Sequence, residues 1–254
     1  MRFFRRAATA LFLLGANPAL AEQVEDHFHW RPAADDGRPH PWAILLPGAS
    51  GLEIFGDKEH YFRFAKRLNG AGIDVLVVHY QEATRFLPDT KKGKPGPRIA
   101  RIVGYAVEDS RAKGRLDVRC EGVVVGWSLG GEGMWEIAAE GRSKLPGLSR
   151  AIGFYPSVRG QAKGYENSVP VTIFQGNADR VTRQNALIKF EAASARPEYI
   201  TIHTYADAVH GFDIASLAEP KMGGKIAFDA AASEAALAEV DRLFAPTSMG
   251  CALD

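Results

Sequence analysis

Short apolar or β-branched runs alternate with amphipathic stretches along most of this 254-residue chain. The runs at 42–46, 73–79, 122–127, 150–155, 169–175 and 199–205 are bounded by turn residues and read as strands. Between them, 58–69, 99–115, 132–140 and 183–193 carry apolar residues at helical spacing, and a last helix is expected over 224–244. Strand and helix in turn predict parallel strands joined by crossover helices, a mostly parallel, doubly wound α/β sheet flanked by helices. Residues 24–30 add an antiparallel strand at its edge. Residues 81–98 read as loop, and the basic, turn-rich 91–97 within it as solvated. No internal repeat interrupts the pattern.

The amino-terminal residues follow a different rule. Arg2, Arg5 and Arg6 precede a short apolar core at 10–15, and Ala19-Leu20-Ala21 is a small-x-small cleavage signature. The apolar run is too short for a bilayer, which needs about 20 residues, so 1–21 is expected to be a signal peptide removed before Glu22. What remains, 22–254, is expected to be one domain in the periplasm or outside the cell, with no membrane span. Thirty-one basic residues against 30 acidic ones give no strong field for nucleic acid or an anionic membrane surface. The two cysteines, Cys120 and Cys251, carry two readings. In an oxidising compartment they tie the C-terminal tail to the third core strand, whereas otherwise one is a small core residue and the other a terminal thiol.

Candidate chemistry begins at Gly126-Trp-Ser-Leu-Gly130, which places one serine between two glycines just after the β-branched run 123–125. This G-x-S-x-G spacing suits a tight strand-to-helix turn that pushes a serine hydroxyl outward. Serine is a poor nucleophile at neutral pH and needs a base, and the base needs a group that sets its tautomer. In such sheets those partners follow the serine, each after its own later strand. Asp179 lies just beyond the run 169–175, and His210 just beyond 199–205. Asp207 is a rival acid, on the same loop as His210. The remaining histidines make no metal-ligand pattern, so no metal and no cofactor are expected. The oxyanion that develops in acyl transfer needs N–H donors. Leu129, directly after the serine, is one candidate, and Ala49 in the glycine-rich loop 47–52 is the other. Trp127 and Tyr155, at strand ends, either line a pocket or pack in the core.

Four motifs together resemble the dienelactone hydrolase family of the α/β-hydrolase superfamily: Pro47-Gly-Ala-Ser-Gly-Leu52, Gly126-Trp-Ser-Leu-Gly-Gly131, Gln175-Gly-Asn-Ala-Asp179 and His210-Gly-Phe212. The resemblance runs from about Pro41 to Phe244. It implies a single-domain α/β-hydrolase fold with a triad on Ser128, Asp179 and His210, acting on a small-molecule ester or lactone. The name-giving enzymes are similar to G-x-C-x-G, whereas this chain carries Ser128. Ile214 stands where those enzymes carry an arginine for the substrate carboxylate, which sets dienelactone itself apart as a substrate. Glu53-Ile-Phe-Gly56 also resembles a family segment that supplies an oxyanion N–H, and under that alignment Ile54 replaces Ala49. The chemistry expected is acyl transfer by a serine hydrolase. A peptidase or amidase of the same superfamily is the alternative within enzymes, and a ligand-binding protein that keeps the fold is the alternative outside them.

Overall fold

The computed structural model describes residues 24–87, 90–159, 165–217, 219–245 and 247–252. The signal peptide expected over 1–21 lies outside them. In chain order the elements are β1 (Phe28–Arg31), β2 (Trp42–Leu46), α1 (His60–Gly70), β3 (Asp74–Val78), α2 (Tyr80–Phe86), α3 (Pro95–Ala112), β4 (Gly122–Trp127) and α4 (Gly130–Glu140). They continue with β5 (Leu148–Phe154), β6 (Val171–Gly176), α5 (Gln184–Ala192), β7 (Ile200–Tyr205) and α6 (Ala230–Leu243). The strands form one sheet in the order β1-β3-β2-β4-β5-β6-β7. β1 is antiparallel to β3 and the other pairings are parallel.

Period-two burial builds the two faces. Ile44, Leu46 and Val124 point into a layer with residues of α3, α4 and α5, while Ala43, Leu45, Val123 and Val125 point into one with α1 and α6. Both faces are covered, which explains why these strands read as continuous apolar runs. Because β2 to β7 run the same way, the segments that follow them gather along one edge of the sheet, where doubly wound sheets place their ligands.

Several boundaries differ from the sequence expectation. The last helix begins at Ala230, not 224, because Gly223 and Gly224 take left-handed φ values of 65° and 80° and Asp229 caps the helix by accepting from Ala232 N–H at 3.0 Å. The residues before it bond instead to the histidine loop: Ala227 N–H to His210 O at 3.1 Å and Asp229 N–H to Phe212 O at 2.9 Å. Helix α3 starts at Pro95, where a missing N–H costs nothing. Helix α2 replaces the start of the expected loop, and it is short, burying only Tyr80 and Ala83. At the edge, His27 N–H bonds back to Val24 O at 3.0 Å, so pairing begins only at Phe28.

Cys120 and Cys251 are joined in a disulfide across 131 residues. Glu121 N–H donates to Gly250 O at 2.8 Å and Ala252 N–H to Arg119 O at 3.0 Å, zipping the tail onto the segment that leads into β4. No helix among the described residues is long and apolar enough to cross a membrane.

Candidate active site

At the end of β4 the chain turns sharply into α4 through Ser128, whose φ of 48° lies in the left-handed region. A non-glycine residue held there costs on the order of 1–3 kcal/mol, and the surroundings hold it. Ser128 N–H donates to Phe154 O at 3.0 Å, and its carbonyl accepts from Gly131 N–H at 3.0 Å and Ser157 N–H at 2.8 Å. Glycine is required on both sides: a Cβ on Gly130 would lie 2.2 Å from Leu46 O, and one on Gly126 2.8 Å from Gly130 O. Ser128 itself stays partly exposed.

The loops after β6 and β7 bring two further side chains to this serine. His210 Nε2 is 3.0 Å from Ser128 Oγ, and His210 Nδ1 is 2.8 Å from Asp179 Oδ2. With its proton on Nδ1, the imidazole donates to Asp179 and leaves Nε2 to accept from the serine hydroxyl. The acid is fixed in turn. Its Oδ1 accepts from Val181 N–H at 2.7 Å and Thr182 N–H at 2.9 Å, and its Oδ2 lies 2.8 Å from Thr182 Oγ1 and 3.3 Å from Gln175 Nε2. Asp207 is exposed in its turn at φ 60° and takes no part in this relay.

Burial would raise the carboxyl pKa of Asp179, but the hydrogen bond and charge of His210 and the Thr182 donors outweigh it and hold it below its ordinary value. A folded value below the unfolded one means stabilisation that is fully present above about pH 3.9 and is lost as the pH falls through the lower folded value. As the pH is lowered from about 4, melting temperatures should therefore drop further in the wild type than in Asp179→Asn. Parallel pH slopes for the two proteins would contradict this assignment of the shift.

Beside the elbow runs the loop after β2. Gly48 lies against the elbow, where a Cβ would make an ordinary contact with Ser128 Cβ at 3.5 Å. This loop is pinned by side chains from α1 and α2. Gly48 N–H donates to the Tyr61 hydroxyl at 2.8 Å, Gln81 Nε2 donates to Gly48 O at 2.5 Å, and the Tyr80 hydroxyl donates to Pro47 O at 2.9 Å. Ala49 is the exposed next residue, and Leu129 the partly exposed one after the serine. Among the described residues, neither N–H donates to a backbone carbonyl. The Ile54 N–H differs, since it is committed to Asp57 O at 2.8 Å.

Trp127 and Tyr155 are 1% and 2% exposed, so they support the site from beneath rather than line an open pocket. The indole stacks on Phe154 at 5.0 Å between ring centroids, and the Tyr155 ring lies 4.3 Å from the His210 ring. The reason is polar as much as apolar: Trp127 Nε1 donates to Asp213 Oδ2 at 2.7 Å and the Tyr155 hydroxyl to Asp213 Oδ1 at 2.6 Å. Tyr61, Gln81, Thr182 and Asp213 were not among the sequence candidates. Gln81, Thr182 and Asp213 each follow a strand end or a candidate residue by three places, whereas Tyr61, at the start of α1, carries no such signal. A cavity of about 740 Å³ flanks the acid loop, touching Asp179, Arg180, Arg183 and Lys225 but neither Ser128 nor His210, so it lies beside the relay and not over it. No group of residues among those described is arranged to hold a metal ion.

Comparison with known proteins places this arrangement in a family. The chain is similar to the dienelactone hydrolase-like promiscuous phosphotriesterase from metagenomic libraries, with 18% identity and a TM-score of 0.63 over 88% of this chain and 100% of that one. It is also similar to a carboxylesterase of Lactobacillus plantarum (15% identity, TM-score 0.59, 85% and 90% covered) and to Thermogutta terrifontis esterase 2 phosphorylated by paraoxon (16%, 0.57, 86% and 90%). At such identities these likenesses show a shared α/β-hydrolase fold. No curated protein matches the chain. The model of the dienelactone hydrolase family matches residues 53–248, most of the sheet and every loop that carries the relay, and the chain belongs to that family.

Proposed function

We propose that this chain is a serine hydrolase that cleaves a carboxylic ester or lactone of a small molecule through an acyl-enzyme on Ser128. The observation that carries the reading is the continuous relay from Ser128 Oγ through His210 to Asp179, at 3.0 and 2.8 Å. In this reading Ser128 attacks the substrate carbonyl while His210 takes its proton at Nε2. The imidazolium, held by Asp179, then gives that proton to the leaving alcohol. Water hydrolyses the acyl-enzyme with His210 again as base. The Leu129 and Ala49 N–H groups are the proposed donors to the oxyanion. Nothing in this sequence of steps calls for a cofactor.

Ester chemistry is supported by the similar structures, which include a carboxylesterase and an esterase phosphorylated by paraoxon. Ile214 is buried in the core, so the family's arginine at that place has no counterpart pointing at a substrate carboxylate here. Export to the periplasm or the medium is part of the proposal. It is supported by the leader signature and by a disulfide, a bond that persists in oxidising compartments. The purified mature chain is expected to turn over p-nitrophenyl esters with kcat/KM at least about 100-fold above peptide anilides, a gap of roughly 2.7 kcal/mol. A preference for anilides would replace the esterase reading with the amidase one.

A further inference from the structure

Beneath the relay lies a carboxylate that the mechanism above does not use. The Asp213 side chain is 3% exposed and sits three residues after His210, at the inner end of the turn that carries the base. Burying a charge is costly unless every lone pair facing it is met, and an apolar residue of similar volume would avoid the cost. Here two hydrogen-bond donors and one imidazole face it, from three different elements. Tyr155, just after β5, donates its hydroxyl at 2.6 Å, Trp127, the last residue of β4, donates Nε1 at 2.7 Å, and His60, the first residue of α1, brings Nε2 to 3.5 Å. Burial would push the Asp213 carboxyl up, but His60 and the two hydrogen bonds hold it below its ordinary range.

Each of these three residues is tied to the reacting groups. Trp127 directly precedes Ser128. Tyr155 touches the relay twice: its ring lies 4.3 Å from the imidazole ring, and its carbonyl is 2.9 Å from the Thr182 hydroxyl, which is itself 2.8 Å from Asp179. Tyr155 is also held at a φ of 38°, a conformation that a tyrosine does not keep without restraint. The ring of His60 packs edge-on against Tyr61, whose hydroxyl accepts from Gly48 in the loop beside the serine.

We propose that Asp213 is a positioning residue: its carboxylate clamps Trp127 and Tyr155 to the turn that bears His210, and so sets the distance between the nucleophile and its base. This rests on Ser128 and His210 acting as proposed above. A neutral amide at this place keeps the volume but turns an NH₂ donor toward one of two incoming donors. The clamp then loosens without emptying the core.

The test uses the full mature chain with a p-nitrophenyl ester and a fluorophosphonate probe. Asp213→Asn should lower kcat about 10- to 100-fold, the size of effect that small misplacement of reacting groups produces. KM should stay within about two-fold, because no substrate contact is removed. The rate of probe labelling at Ser128 should fall in parallel. Tyr155→Phe, which deletes one hydroxyl and keeps the ring, should move kcat in the same direction, and the double variant should lose less than the product of the two. Leu76→Ala, in the opposite core layer of the sheet, serves as the purely structural control: it lowers the melting temperature and leaves kcat well below that temperature unchanged. If Asp213→Asn does not fold, Tyr155→Phe decides. Labelled wild type with variants that react at the wild-type rate, or that lose activity only as Leu76→Ala does, overturns the clamp while leaving the hydrolase reading intact. A folded wild type that neither labels nor cleaves overturns the hydrolase reading, and the clamp with it.

Discussion

Replacing Ser128 with alanine is expected to lower kcat for ester hydrolysis by about 10⁶-fold and to abolish fluorophosphonate labelling, with little change in melting temperature. The size follows from what the substitution removes. Only Oγ is lost, and it is the atom that forms the covalent bond in the proposed route. The alanine methyl replaces it at a position whose backbone is already committed to φ 48° by bonds to Phe154, Gly131 and Ser157, so the elbow persists. The N–H groups of Leu129 and Ala49 are untouched, and a small residual acceleration over water from them is consistent with the reading. Retention of more than about a tenth of the wild-type kcat, or labelling of the variant at another residue, would show that the nucleophile lies elsewhere.

Asp179→Asn is expected to cost about 10⁴-fold in kcat while KM changes little. The carboxylate accepts the Nδ1 proton of His210 at 2.8 Å. An asparagine that turns its NH₂ toward Nδ1 makes that nitrogen the acceptor and leaves the proton on Nε2, facing Ser128 Oγ. In that tautomer the imidazole has no lone pair for the hydroxyl proton. The amide can still accept at its oxygen from Val181 and Thr182, which bond Oδ1 at 2.7 and 2.9 Å, so the loop keeps its shape. Asp207→Asn is the matched comparison, because its side chain is exposed and asparagine is at ease at φ 60°. Its kcat should stay within about two-fold of wild type. If Asp207→Asn were the more damaging of the two, the acid of the relay would have to be reassigned.

The elements that the sequence pattern predicted well are those whose signals are local. The strands at 42–46 and 122–127 carry their burial in their own composition, the partly covered edge strand at 199–205 carries its β-branched alternation, and the structure keeps all three with shifts of at most a residue. The order of Ser128, Asp179 and His210, each after its own strand, already implies that they meet, since parallel strands present their C-terminal ends along one edge. Where the pattern failed, the deciding contact was distant. Helix α2 buries only two residues, too few for a periodic signal. The helix expected over 224–244 is cut short because Ala227 and Asp229, between the left-handed glycines and Ala230, bond to the histidine loop.

From the chain alone came the sheet, the elbow and the three side chains of the relay, because a period of two, a glycine that cannot carry a Cβ and a strand-to-turn boundary are all written within a few neighbouring residues. Only the folded molecule decided that Cys120 meets Cys251, that the Ile54 N–H is spent on Asp57 while Ala49 lies open, and that Trp127 and Tyr155 turn inward. The bonds from Trp127 and Tyr155 to Asp213 span 86 and 58 residues. Whether a donor and an acceptor so far apart come within 3 Å depends on strand order, register and the packing of both faces, and no local pattern encodes those.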